Sequence, residues 1–453
     1  MNRVRVFWAN LRSSFWFVPS LIVAVSVLMA VALIEADSSG VKPWMARWPR
    51  LFGAGAAGAR GMLSTIAGSM MTVVGVTFSM TLVTLALASS QYTSRILRNF
   101  IGDRVTQVVL GAFAGVFSYC LIVLRTIRGG DEGGFIPSLA VSFAVVLAIG
   151  AISVLIFFIH HIAASIQASN IIASVGEETL EAVDRLFPGG LGEGADDQGD
   201  EDPPEPTLPG LTWRAVPAPK NGYIQGVDNG ALLLVARQQH TIVRMERGIG
   251  EFVVQGTILA SLALEDEVDQ EVVADLQSAY TIDRHRTVEQ DAAFGIRQIV
   301  DMALRALSPG INDTTTAVMC VDHLSAILTR LASRPIPSSR RHEEGTLRVV
   351  SVGPTFASLT ADSFDEIRGS AKGNPSVLLR LLGALQIIAS VATRPGRRRT
   401  LRQQVDLITE VAGRTLESPY DRIGYDRHLA KVREALETPS GCAWPRGPQE
   451  AEG

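Results

Sequence analysis

The sequence predicts a membrane protein: a four-helix transmembrane bundle followed by a mixed α+β cytoplasmic domain, the latter a small β-barrel-like module plus a mainly helical region. Three observations carry this. Four apolar stretches, 15–34, 62–88, 105–124 and 135–159, can each cross a hydrocarbon layer of about 30 Å at about 1.5 Å per residue. Composition then changes abruptly at 188–210, where PGGLGEGADDQGDEDPPEPTLPG brings seven acids and no base. Beyond it, strand-like and then helical apolar patterns follow. The plan is a transmembrane domain with a helical extension at 1–187, a disordered acidic linker at 188–210, a β-rich module at 211–265, a mainly helical region at 266–440 and a disordered tail at 441–453. The linker is too polar and too rich in breakers to bury a core.

Only 19% of residues are charged and mean hydropathy is +0.23, so long apolar segments are required. The net charge of −4 gives no sign of a polyanionic partner. The three cysteines, Cys120, Cys320 and Cys442, are scattered and make no disulfide framework or Cys-x-x-Cys pattern.

The first span follows three arginines and could pass for a signal peptide. Its apolar run is long for one and three more spans follow, so it reads as an anchor. Trp8 and Trp16 precede it and Trp44 and Trp48 follow it, as amphipathic rings do at membrane interfaces. Basic residues are balanced between the two sides. Arginines before the first span and Glu35 and Asp37 near its end favour both termini in the cytoplasm.

The second span is the most polar. Thr65, Ser69, Thr72 and Ser79 share one helical face, with Gly61, Gly68 and Gly75 beside them. Helix packing explains such a face, since small residues allow close approach and hydroxyls bond across the contact. A hydroxyl-lined path for ions or small solutes is the functional alternative. Gly111 and Gly115 in the third span read as a packing pair. After the fourth span the apolar pattern runs on through Ile162, Ile171, Val175 and Val183, which predicts an unbroken helix leaving the membrane.

In the soluble half, Tyr223–Val227, Thr241–Met245 and Phe252–Leu262 read as strands around a short helix carrying Leu232 to Leu234. The Gly250-x-Phe252-Val253…Gly256 arrangement resembles small barrel-sandwich modules of the lipoyl-domain and membrane-adaptor type. It has no lysine at a hairpin tip, so biotin or lipoate carriage is not supported. Helices are predicted over 267–280, 355–368, 376–393, 398–416 and 421–436, with a strand-like interruption at 346–352.

The central stretch is Arg286–Leu328. Ala292, Ile296, Ile299, Ala303 and Leu307 recur at helical spacing, while Arg297, Asp301 and Arg305 stand at successive i,i+4 steps and form a candidate partly buried charge network. Ser308-Pro309-Gly310 stops this helix, and Asn312 or Asp313 caps the next. The plain reading is a well-capped elbow. The functional one makes Asn312, Asp313 and Thr316 a polar site at a helix N-terminus, although Asp313 argues against an anion there. Arg394, Arg397, Arg398, Arg399 and Arg402 form a basic cluster, read either as a solvated turn or as a patch for anionic lipid headgroups.

No nucleotide-binding, zinc-protease or serine-hydrolase motif is present. The Cys320-x-x-His323 pair reads as core beside surface, and arginines interleave Asp283, His285 and Glu289. The protein is therefore expected to be no enzyme and to use no cofactor, metal or nucleic acid.

The blocks TFSMTLVTLALASSQYTSRILRNFIGDRVTQVVLGAFAGVFSYCLIVLRTIR and RTVEQDAAFGIRQIVDMALRALSPGINDTTTAV resemble the bacterial family of predicted membrane proteins known as domain of unknown function 2254. The family's turn usually reads Asn-Asp-Pro-Thr-Thr-Ala, and here Thr314 stands for the proline. The resemblance implies an inner-membrane location and a cytoplasmic C-terminal domain, and it transfers no catalytic residue. Two function classes follow. One is a non-enzymatic, homo-oligomeric channel or transporter for ions or small solutes, controlled by its cytoplasmic domain. The alternative is a cytoplasmic sensing or scaffolding domain held at the lipid bilayer by four packing helices.

Overall fold

The computed structural model describes residues 16–38, 55–91, 104–128, 135–165, 167–187, 212–265 and 268–437. The chain forms two compact units, residues 1–170 and 171–453. The acidic linker at 188–210, the tail at 441–453 and the tryptophans Trp8, Trp44 and Trp48 lie outside the described residues.

Among the described residues, the first unit has four helices long and apolar enough to span a membrane: α1 (Phe17–Ser38), α2 (Ala56–Gln91), α3 (Arg104–Thr126) and α4 (Ser138–Ser165). Helix α3 is the centre and packs against the other three. Its stripe of Val109, Phe113, Val116, Tyr119, Cys120 and Val123 is buried, as a helical repeat facing neighbours requires. Gly111 and Gly115 let α1 lie directly on α3. A Cβ at Gly111 would sit 2.9 Å from Pro19 Cα, and one at Gly115 would sit 3.3 Å from Ser26 Cβ. Polar clamps close one end of the bundle. Asp37 accepts from the amides of Leu139 (3.0 Å) and Ala140 (3.2 Å), capping α4 from α1. Arg60 donates to the Ile127 carbonyl beyond α3 at 2.8 Å, and Tyr119 to the Ala140 carbonyl at 2.8 Å. The Asp37 and Arg60 bonds satisfy backbone groups that a helix end leaves unpaired.

The unbroken helix expected after the fourth span is two helices. Helix α4 stops at Ser165 and α5 runs over Ala168–Leu186. The Ala164 carbonyl, which a continuing helix would bond from residue 168, accepts from the Gln167 amide (3.2 Å) and the Asn170 side-chain amide (2.8 Å). That local bonding ends the helix where hydropathy alone does not.

In the second unit, α5 precedes strands β1 (Thr212–Pro217) and β2 (Gly222–Val227), helix α6 (Asn229–Gln238), strands β3 (Val243–Met245), β4 (Phe252–Val253) and β5 (Ile258–Leu264), helix α7 (Gln270–Ser278) and strand β6 (Tyr280–Asp283). The barrel-like module expected here is instead two open sheets, and no barrel closes. One sheet has the order β1-β5-β3-β8-β7 and the other β4-β2-β6. Strand β8 (Thr346–Val350) and its hairpin partner β7 (Arg340–Glu343) arrive from a distant segment, with Val349 opposite Val243 and fully buried. The strand anticipated at 346–352 therefore completes this sheet. The single strand expected over Phe252–Leu262 is split by a turn at Gly256, whose φ of +84° suits glycine. Val216, Ile224, Leu232, Val243, Leu262 and Leu276 form a core between the sheets, α6 and α7.

The helical region is α8 (Ala292–Ala306), α9 (Thr314–Ala332), α10 (Phe356–Ser370), α11 (Pro375–Val391), α12 (Pro395–Thr415) and α13 (Pro419–Glu437). Starts are set by caps and prolines. Asp291, Asp313 and Asn374 cap α8, α9 and α11, Thr355 and Ser358 make a capping box on α10, and Pro375, Pro395 and Pro419 open their helices.

Candidate functional site

The elbow between α8 and α9 is built as a cap. Asp313 accepts from the Thr316 amide at 3.0 Å and the Thr316 hydroxyl at 2.6 Å, and its own amide donates to Ala306 at 2.7 Å. Those bonds hold its carboxyl below the usual carboxylate range. Asn312 takes the left-handed conformation (φ 48°) and is exposed, as is Ile311. Thr314, standing for the family's proline, receives a 2.7 Å bond from the Asn374 side chain. The elbow is thus tied to the cap of α11, a bond that proline could not accept.

The Arg297–Asp301 step of the charge ladder pairs, and Arg297 reaches beyond its own helix. Arg297 Nε meets Asp301 at 2.7 Å, and the same guanidinium grips Glu366 of α10 with two nitrogens. Asp365 bonds Arg368 (3.0 Å) and the Gln404 amide (3.0 Å), carrying the network to α12. Arg305 is half-buried and its Nε makes no hydrogen bond. At the start of α8, buried Asp291 accepts from the Phe294 amide at 3.0 Å and pairs with Arg286 at 2.7 Å. Burial nonetheless pushes its carboxyl up, with Arg286 opposing. Gly250 (φ +88°) abuts this pair, since a Cβ there would lie 2.6 Å from an Arg286 nitrogen. Gln290, next to Asp291, accepts from the Val227 amide at 3.2 Å. Together these contacts join the β4-β2-β6 sheet to the helical region.

Helix α5 sits against α8 and α9 through two glycines. A Cβ on Gly176 would come 2.6 Å from His323 Nδ1, and one on Gly295 would overlap Thr179. Its last turn is clamped. Asp184 takes both Arg330 nitrogens (2.8 and 2.9 Å), and Arg334 donates to the Phe187 carbonyl at 2.7 Å. The hydrogen bond from Arg330 holds the Asp184 carboxyl below its ordinary value. No motif in the sequence marked this clamp, because the partners lie 146 residues apart.

The basic cluster divides. Arg397 and Arg398 are buried, which removes them as a solvated turn or headgroup patch. Arg397 donates to the carbonyls of Leu331 (3.0 Å) and Ala332 (2.9 Å) at the end of α9. Arg398 donates to Ala435 (2.9 Å) and Leu436 (3.1 Å) at the end of α13 and to Ala392 (3.1 Å) after α11. Helix C-termini offer unpaired carbonyls and partial negative charge, so the guanidiniums find there what a like-charged neighbour denies them. Arg394 is half-buried, while Arg399 and Arg402 are exposed.

In the first unit Thr65, Ser69, Thr72 and Ser79 all face outward from this chain. Thr65 bonds Gly61 O and Ser69 bonds Thr65 O at 2.8 Å, and Thr72 bonds Gly68 O at 3.1 Å, each one turn back. A Cβ on Gly61, Gly68 or Gly75 would meet nothing within 4 Å. Among the described residues, Thr77, Thr84, Thr106 and Gln107 are buried in the bundle, as is the Tyr119 hydroxyl. Thr77 and Thr84 continue the stripe of Ala59, Leu63, Ala67 and Met70, whose seven-residue repeat marks them in the sequence. Among the described residues no three His, Cys, Asp or Glu side chains gather as a metal site.

Comparison with known proteins agrees with this architecture. An uncharacterized protein of Mycobacterium tuberculosis (Rv1290c) and one of Mycobacterium bovis (Mb1321c) are each 34% identical over 457 residues, covering 98% of this chain and 85% of the relative. No solved structure matches. Residues 12–386 match the family described as predicted membrane protein, DUF2254. With that span and those relatives, the chain belongs to the DUF2254 family of predicted membrane proteins.

Proposed function

We propose that the protein is a cytoplasmic sensing or scaffolding domain anchored in the bacterial inner membrane, with α5 as the mechanical link. The observation that supports this is the seating of α5. It begins after only residues 166 and 167 beyond α4, yet it is gripped by Asp184–Arg330–Arg334 and by the close approaches at Gly176 and Gly295. A helix so fixed passes displacement to the α8–α9 elbow as a rigid element. On the outward face of α2, the hydroxyls of Thr65, Ser69 and Thr72 donate to their own backbone one turn back rather than to a solute.

Purified full-length protein in liposomes tests this. Ion and small-solute flux should equal that of protein-free vesicles, and a saturable flux would overturn the anchored-domain reading. One observation favours the second reading, a conduit: the uncovered glycine and hydroxyl face of α2 could be shared between copies. In that case Ser69→Leu with Thr72→Leu blocks the flux. The orientation has its own test. A reporter fused at Gly453 should be active in the cytoplasm, and a periplasmic signal would place the second unit on the other side.

A further inference from the structure

Two turns of the second unit form one rigid tip. The β1–β2 turn reads Pro217-Ala218-Pro219-Lys220-Asn221, and the β4–β5 segment reads Phe252-Val253-Val254-Gln255-Gly256-Thr257-Ile258. Ala218 donates to Thr257 O (2.8 Å) and accepts from Gly256 N (3.0 Å), while Asn221 Oδ1 accepts from Gln255 N at 2.7 Å. Thr257 adds a hydroxyl bond to Val254 O at 2.6 Å. The bonds of Ala218 and Asn221 tie the two turns to each other.

What it displays outward is apolar. Phe252, Val254 and Ile258 are 53%, 51% and 48% exposed, and Tyr223 supports the Phe252 ring edge-on at 5.1 Å. Exposed Pro217, Pro219 and Lys220 complete the surface. In a chain of net charge −4, these twelve positions hold one cation and no acid. The neighbouring Glu251 is engaged by Arg247 at 3.2 Å and by the Gly248 amide at 2.7 Å. Burying a cluster of this kind in water's absence is favourable, and its persistence on a rigid tip marks a contact surface.

We propose that this tip is a bilayer-contact element, in which Phe252, Val254 and Ile258 enter the interfacial layer and Lys220 meets lipid phosphate. Aromatic and aliphatic side chains suit that layer, and a lysine stem reaches from apolar surface to an anionic headgroup. The occupant is specified by the chain itself. Helix α5 follows the fourth candidate span by two residues, so a bilayer is held at high effective concentration near this unit. A strand-adding peptide is disfavoured, because β4 is only two residues long and the amides of Ala218, Gln255, Gly256 and Thr257 are already bonded. The inference stands whether or not the membrane helices conduct.

The test uses full-length protein in nanodiscs of phosphatidylcholine and phosphatidylglycerol, on a Cys442→Ser background because Cys120 and Cys320 are buried. Nitroxide is attached at Val254→Cys and, as a control, at Glu434→Cys on the exposed face of α13. Collision with oxygen, which partitions into lipid, is compared with collision with a water-soluble nickel chelate. The oxygen-to-nickel ratio at residue 254 should exceed the control by about threefold or more, as for a side chain in the interfacial layer. A ratio equal to the control overturns the proposal. Low access to both reagents also overturns it, since that reports a second copy or another protein on the tip. An unchanged melting temperature for each labelled protein shows that the fold is intact.

Discussion

Asp291→Ala is expected to lower the stability of the second unit by about 3–5 kcal/mol, the range for stripping one partner from a buried ion pair. Two losses combine. The α8 cap to Phe294 disappears, which by itself costs about 1 kcal/mol. Arg286, stacked over the Phe294 ring at 5.0 Å, is left without its carboxylate. Asp291→Asn keeps an oxygen for the cap and removes only the charge. Because burial already raises the Asp291 carboxyl despite Arg286, the asparagine variant should lose clearly less than the alanine one. Denaturant melts of the purified full-length variants measure both. Equal losses would mean that the ion pair, and not the cap, carries the effect.

Arg398→Ala is the second large effect. The guanidinium satisfies carbonyls at the ends of two helices, α11 and α13. Leu436 keeps a second donor in Arg402, but the Ala435 and Ala392 carbonyls are left bare at about 1–3 kcal/mol each, so a loss of roughly 2–5 kcal/mol is expected. Arg398→Lys should recover little, since one ammonium cannot span the fork that reaches both helices. Arg399→Ala, one residue along and exposed, should stay within about 0.5 kcal/mol of the parent. Thermal melts of the three variants decide it. A silent Arg398→Ala would return the cluster to the status of a surface turn.

Much of the architecture was legible because it rests on local pattern. The four spans follow from apolar length, and the α8–α9 elbow follows from Pro309-Gly310 and a capping Asp313. What was not legible depends on partners distant in sequence. The arginines at 394–402 look alike as a string, and only the carbonyls of α9, α11 and α13 separate Arg397 and Arg398 from Arg399. The hydroxyl face of α2 suggests an interior by its polarity. Thr65, Ser69 and Thr72 bond the preceding turn, so the stripe of Ala59, Leu63 and Ala67 decides which face packs. The open sheets were missed, and a barrel-like module expected in their place, because β3 borrows its second neighbour, β8, from about a hundred residues downstream. Of the charge ladder on α8, the Arg297–Asp301 step is seen, but the main partner of Arg297, Glu366, lies on α10.

The reach of Arg397 and Arg398 also dictates when the helical region can become rigid during synthesis. Helices α9 and α11 are complete by Val391, yet their C-terminal carbonyls wait for α12, and α12 in turn waits for Ala435 and Leu436. A nascent chain therefore passes through a stage in which its apolar helices are made and their ends are open, a state prone to misassembly. The segment that closes it lies beyond residue 386, where the family match ends. A chain cut at that point keeps all of the family-matched residues and loses the ones that lock it.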